Sequence, residues 1–233
     1  ADEDLPNMSS LAVQQLKATY TGKAAHAAAA PEKGINALDG AVLGYMGVAA
    51  LRQHIAPDER LHGIFTNGGQ KANIVPESAE STWYVRSSTM ERLEILKNRL
   101  LETLQGGAKS AGCGIELEWI NEPYAEVLDN GPLLNAYMEN SESIGRIIRP
   151  SESGGVVGST DLGNVSHVVP SIHPMVKVAP EGTAIHTVDF EKCAKSIEAD
   201  MGLLDSAKSL AMTVLDCWHD PDLLNDARDF FAQ

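Results

Sequence analysis

Cysteine is scarce in this 233-residue chain: Cys113, Cys193 and Cys217 are odd in number, far apart, and form no Cys-x-x-Cys pair. That argues against a disulfide framework and against a structural zinc knot, and it fits a reducing cytoplasm. Positive charge is also in short supply. Eighteen Lys and Arg stand against 32 Asp and Glu, a net charge of -14, with no basic run to follow a phosphate backbone or an anionic membrane. The apolar stretches are helix-length at most and interrupted by Gly, Arg or Asp, and the N-terminus, Ala1 to Leu5, is acidic where an export signal is basic. Aromatic residues are only 5% of the chain, yet 43% is hydrophobic, enough for one or two globular domains. The first residue is alanine, so a processed chain or a fragment of a longer protein is expected.

Several catalytic signatures are missing as well. No H-E-x-x-H, His-x-Asp, adjacent Glu-Glu or G-x-S-x-G occurs anywhere, so a complete hydrolytic site cannot be assembled from these residues. The glycine-rich segment from Gly154 to Ser166 has neither the Gly-Lys-Ser/Thr of a phosphate loop nor the spacing of a dinucleotide fold.

What is present has clear periodicity. A β-prone stretch at Leu16 to Tyr20 precedes a helical pattern from about Asn36 to His54, with Leu38, Val42, Tyr45, Met46, Ala49 and Leu51 expected on its buried face. Leu61 to Thr66 and Ser78 to Arg86 alternate as strands. A second helix from about Met90 to Ser110 presents Leu93, Leu96, Leu100 and Leu104, and Gly106-Gly107 followed by Gly112 is expected to loosen and stop it. Ile115 to Ile120 is a further strand. The order βαββαβ over residues 15 to 126 reads as a ferredoxin-like module. Beyond it we expect a helix from about Pro132 to Ile144, a Gly/Ser loop at 151 to 160, a short strand at Ser171 to Val178, and one long helix from about Phe190 to Trp218. With one clear strand, residues 127 to 233 look like the edge of a sheet completed elsewhere. The fold class is therefore α/β, in the α+β sense.

Some side chains could carry chemistry. His26 follows a strand inside a loop of small residues, where an imidazole can project; its ordinary alternative is a surface histidine at an alanine-rich helix start. His186 lies in a loop just before a helix, with Asp189 placed as a possible N-cap, and such a histidine suits a metal. The Gly68 to Pro76 segment could offer amides and the Asn73 side chain to an anion, and Arg86 could grip a carboxylate, unless these are simply a hairpin connection and an exposed arginine. Asp129, Asp216, His219 and Asp220 are read as solvated or capping groups.

Taken together, GKAAHAAAAPEKGINALD (22–39), LHGIFTNGGQKANIVPE (61–77), WYVR (83–86), GSTDLGNVS (158–166), VPSIHP (169–174) and HTVDF (186–190) resemble metallopeptidase family twenty. The likeness is to its aminoacylase, aminobenzoyl-glutamate hydrolase and β-alanyl dipeptidase members, and it runs in order over nearly the whole chain. It implies a two-metal catalytic α/β domain interrupted by a βαββαβ lid that also dimerises. Residues 15–126 would be the lid, with 1–14 and 127–233 parts of the catalytic domain. By the same resemblance His186 is the last metal ligand, and His26 reaches an active site, often the partner subunit's, to steady an oxyanion. Asn73 and Arg86 bind the carboxylate end of the substrate or close the lid, and Gly158, Ser159 and Asp161 line its pocket.

The implied cofactor is a pair of divalent metal ions, zinc foremost and manganese or cobalt as alternatives, with at most one ligand in this chain. The implied reaction is amide hydrolysis of an N-acyl amino acid or small dipeptide by a metal-activated water, and the implied assembly is a homodimer. The pieces absent here leave the chain itself inactive on this reading. Two other readings stand beside it: a stand-alone ferredoxin-like dimerisation or ligand-binding module, and a metal-free carrier of small carboxylates. An exposed apolar face on residues 127 to 233 would favour the fragment over the stand-alone module.

Overall fold

The computed structural model describes residues 1–148 and 157–233. The chain divides into one unit of Leu11–Ala125 and another of Ala1–Ser10 with Glu126–Gln233. In chain order the elements are β1 (Ser9–Ser10), β2 (Ala12–Thr21), α1 (Ala37–Leu51), β3 (Arg60–Asn67), β4 (Ser78–Ser87), α2 (Met90–Ala111), β5 (Gly114–Tyr124) and α3 (Gly131–Ser143). They continue with β6 (Val157–Gly158), α4 (Leu162–Ser166), α5 (Val188–Cys193), α6 (Ile197–His219) and α7 (Pro221–Phe231).

The Leu11–Ala125 unit is an antiparallel sheet in the order β3-β4-β2-β5, the ferredoxin-like arrangement. Alternation makes it: Leu16, Ala18 and Tyr20 of β2 and Ala79, Ser81, Trp83 and Val85 of β4 turn to the helices and are buried. Leu93, Leu96, Leu100 and Leu104 of α2 meet them and are fully covered, each stabilising by roughly 1.5–3 kcal/mol. Thr89 caps α2 by accepting from the Arg92 amide at 3.3 Å, and the helix stops at Gly112, whose φ of 69° a side chain disfavours.

Two expectations for this unit are corrected. Gly106-Gly107 does not loosen α2, which runs on to Ala111. A Cβ on Gly107 would fall on the Gly44 amide, so this glycine is where the two helices touch. For the same reason the most buried face of α1 is Gly40, Ala41, Gly44 and Val48; of the six residues expected, Leu38, Tyr45 and Leu51 pack half-buried against the core, whereas Val42, Ala49 and Met46 (61%) are exposed. Apolar size pointed to one face, but close helix approach requires the small one.

In the other unit, β1 and β6 form a short parallel ladder, Ser9 to Val157 and Ser10 to Gly158. Asn130 caps α3 and also donates to the Ala227 carbonyl at 2.8 Å, tying α3 to α7. Arg146 bridges Asp4 at 2.7 Å and Asp205 at 3.1 Å, holding the N-terminal segment against α6.

Three more expectations change here. Residues 171–178 form no strand: Met175 makes a single bridge to Leu5, and Pro174 beside it has no amide to extend the ladder. The long helix is two, because Ser196 breaks the run and caps α6 by accepting from Ala199 at 3.1 Å. Thr187, not Asp189, caps α5, its hydroxyl accepting from Phe190 at 3.2 Å. Of the Gly/Ser loop, residues 149–156 lie outside the described residues.

The unit also leaves large apolar groups in solvent. The inner side of α6 is Ala199, Gly202, Ser209 and Thr213, while Met201, Leu203, Leu204 and Leu215 are exposed and Ile197 and Trp218 are each 75% exposed. No helix among the described residues is long and apolar enough to cross a membrane.

Candidate functional site

His26 sits past the end of β2, in a loop held by backbone pairing to the segment before β4. The Ala27 amide donates to the Asn73 carbonyl at 3.0 Å, Val75 donates to Ala25 at 2.9 Å, and His26 bridges Ile74. The structure thus brings His26 and Asn73 together, both exposed. The His26 ring is oriented by its own turn: Nδ1 accepts from the amides of Ala28 at 3.2 Å and Ala29 at 3.1 Å. A neutral imidazole accepting at Nδ1 carries its proton at Nε2, so His26 presents a donor outward.

Arg86 is not part of that group. It sits near the C-terminal end of β4, paired with Val13, while the His26 and Asn73 loops lie beyond the Ser78–Thr21 end of the same ladder. Eight steps along the strand separate Ser78 from Arg86, roughly 26 Å at about 3.3 Å per residue. Arg86 is half-buried and lies 5.8 Å from the centroid of the Tyr84 ring. On the neighbouring strand, His62 stands 5.9 Å from the same ring. Burial holds the His62 imidazole below its ordinary pKa, and the charges of Arg86 and Arg52 push the same way.

Gly158, Ser159, Asp161 and His186 belong to the other unit. Gly158 pairs with Ser10, Ser159 follows it, and Asp161 is exposed at the start of α4. His186 is exposed with φ 64°, a left-handed conformation that costs a non-glycine residue of order 1–3 kcal/mol and is found where function fixes the backbone. Among the described residues no three His, Cys, Asp or Glu side chains cluster to hold a metal. His186 thus has no such cluster around it among the described residues.

One polar cluster escaped the sequence reading. Asp129 is not solvated: the Asn7 side-chain amide donates to it, and burial raises its carboxyl above the ordinary range against the pull of Asn7 and His173. Burial likewise lowers the His173 imidazole, with Asp129 opposing. Oδ1 of Asp129 and Nδ1 of His173 are both buried without a hydrogen-bond partner among the described residues. The only signal for this was the VPSIHP segment; nothing links Asn7 to Asp129 in sequence. Asp220 caps α7 and His219 bonds back to Leu215, both as read.

Comparison with known proteins fits this arrangement. Residues 13–111 match the peptidase dimerisation domain. Over 233 residues the chain is 38% identical to the Xaa-Arg dipeptidase of Mus musculus, covering 99% of this chain and 54% of that protein. These matches support a place in metallopeptidase family twenty. Family members are peptidases and amidohydrolases, generally metal-dependent. A p-aminobenzoyl-glutamate hydrolase chain of Escherichia coli (strain K12) is 25% identical, with 97% of this chain and 58% of that protein covered. A putative aminohydrolase from methicillin resistant Staphylococcus aureus shares the fold, with a TM-score of 0.66, 19% identity, and coverage of 92% of this chain and 54% of that one. The chain spans about half the length of the curated relatives it matches.

Proposed function

We propose that the protein to which this chain belongs hydrolyses the amide bond of a dipeptide or N-acyl amino acid, with Leu11–Ala125 as its lid and dimerisation domain. The observation that carries the reading is the His26 turn: two backbone amides spent on Nδ1 fix an outward Nε2–H donor beside Asn73. Such a donor suits a carbonyl oxygen as it gains negative charge, and preorganised donors of this kind are worth about 10²–10³ in rate. Arg86 would hold the substrate carboxylate. In the other unit, Gly158, Ser159 and Asp161 would line the substrate pocket.

His186 would supply one metal ligand, the remainder coming from residues outside this chain. A pair of divalent ions, with zinc as the first choice, activates water for attack on the amide carbon when bound. The free thiols of Cys113, Cys193 and Cys217 accord with a reducing, cytoplasmic setting. Two features support a homodimer through the lid: β3 is an edge strand, with Ile64 65% exposed and Phe65 exposed, and the neighbouring outer face of α1 shows Val42, Leu43 and Met46.

The uncovered apolar surface of α6 speaks against a stand-alone module, which would seal that face with polar groups. The test is metal content and hydrolysis of N-acyl amino acids and dipeptides, arginine-ended ones included as the mammalian relative's name suggests, in the full-length protein. His186→Ala should remove both metal and activity. Hydrolysis surviving without bound metal would defeat the reading.

A further inference from the structure

His62 stands in a basic stretch of the edge strand β3. It lies on the open face of the sheet, opposite Tyr84 in the β3–β4 register, with the two rings 5.9 Å apart. Two residues back, Arg60 is directly opposite Arg86, a like-charge cross-strand pair that destabilises where opposite charges would support the sheet. Partial burial first, and then the charges of Arg86 on β4 and of Arg52 just after α1, favour the neutral form of the His62 ring. The carboxylates close by in the chain are engaged elsewhere. Asp58 and Glu59, ahead of β3, face Arg92 at 2.9 and 3.4 Å, and Glu80, four residues from Tyr84 on β4, pairs with Lys17 at 3.2 Å.

Self-pairing constrains what His62 can meet. An edge strand that pairs with its own copy about a two-fold axis runs antiparallel to it, so the residues it meets along the ladder are drawn from the same strand. That strand reads Arg-Leu-His-Gly-Ile-Phe-Thr-Asn and contains no Asp or Glu. No register of β3 against β3 therefore sets a carboxylate across from His62, and each register brings a second Arg60 and a second His62 to the same junction. A neutral imidazole is tolerated there as a flat ring with one donor and one acceptor. An imidazolium adds a cation among arginines and has to give up water as the edges close.

We propose that His62 is a pH switch of the lid dimer: neutral, it lets β3 pair with β3 of a second copy, and protonated, it drives the two edges apart. The inference rests on the reading given above that the lid dimerises through β3. Its sign follows from linkage. Pairing favours the deprotonated ring, so association is strongest at neutral and alkaline pH and is lost as pH falls.

Sedimentation velocity of the full-length protein over a range of concentrations gives the dimer Kd at each pH. Between about pH 8 and about pH 5.5, Kd should rise by at least about tenfold, with about one proton taken up per protomer released. His62→Gln removes the titrating group and should hold Kd near its alkaline value throughout. His62→Arg, a permanent cation, should be weak at every pH. His54→Gln, in the segment after α1, should titrate like the unaltered protein. A monomer at about pH 8 would defeat the lid-dimer reading and this inference with it. A dimer whose Kd ignores pH, a His62→Gln variant that still dissociates on acidification, a tight His62→Arg dimer, or loss of the pH dependence in His54→Gln would overturn the switch and leave the dimer standing.

Discussion

Asn73 and Arg86 stand at opposite ends of one strand: Asn73 is pinned to the His26 loop ahead of β4, and Arg86 lies near its far end, opposite Val13. The chain enters this unit at Leu11 and leaves it at Ala125, both beside the Arg86 end. One lid therefore carries two sets of polar groups that do not act at one point. On the proposed function, Arg86 would serve its own protomer's site, and His26 with Asn73 would serve the partner's.

That account requires a dimer. Met46 and Ile64 are exposed on the outer face of α1 and on the edge strand. The double change Met46→Glu and Ile64→Lys should weaken dimerisation by at least about tenfold, as polar groups replace buried anchors. Light scattering behind size-exclusion chromatography reads this directly. An unaltered mass would mean that these residues lie outside the interface.

The α1–α2 contact makes a second prediction. A Cβ on Gly107 would crowd the Gly44 amide and come within 2.9 Å of the Gly40 carbonyl oxygen, all of it backbone that cannot rotate away. Gly107→Ala should destabilise the lid by about 1–3 kcal/mol, although alanine is the better helix former. Gly106→Ala, next in sequence with open space around it, should be neutral or slightly stabilising. Urea midpoints of the two variants should move in these different directions.

Stability should depend on pH through Asp129 and His173. Asp129 has its pKa raised from 3.8, so the folded state binds the proton more tightly, and its contribution is full below that value and lost as pH rises. His173 has its pKa lowered from 6.5, so its contribution is full above that value and is lost as pH falls through the folded pKa. Asp129→Asn should thus raise stability at neutral pH relative to the parent, and the gain should shrink on acidification. His173→Gln should flatten the loss seen below pH 6.5, apart from the share of His62, which has the same sign. Denaturant midpoints between pH 4 and 8 measure both slopes.

The lid was legible in the sequence because its elements obey simple periods. Trp83 and Val85 alternate with Tyr84 and Arg86, and the four leucines of α2 recur at helical spacing. Small residues misled the reading of α1, since Gly40 and Gly44 carry no hydrophobic signal yet form the tightest contact. Proline explains the missing strand at 171–178, and Ser196 hides a helix break inside a continuous helical pattern. For the site, His26, Asn73 and Arg86 could be named from motifs, but their division between two ends of a sheet depends on strand register.

The most direct test is complementation between protomers in the full-length protein. His186→Ala and His26→Ala variants, each inactive by itself, are unfolded, mixed and refolded, or co-expressed. If His26 acts on the partner's site, half of the dimers are mixed and each holds one intact site, so activity should return to about a quarter of the unmodified enzyme. No recovery from verified mixed dimers would show that His26 serves its own protomer and would contradict the account.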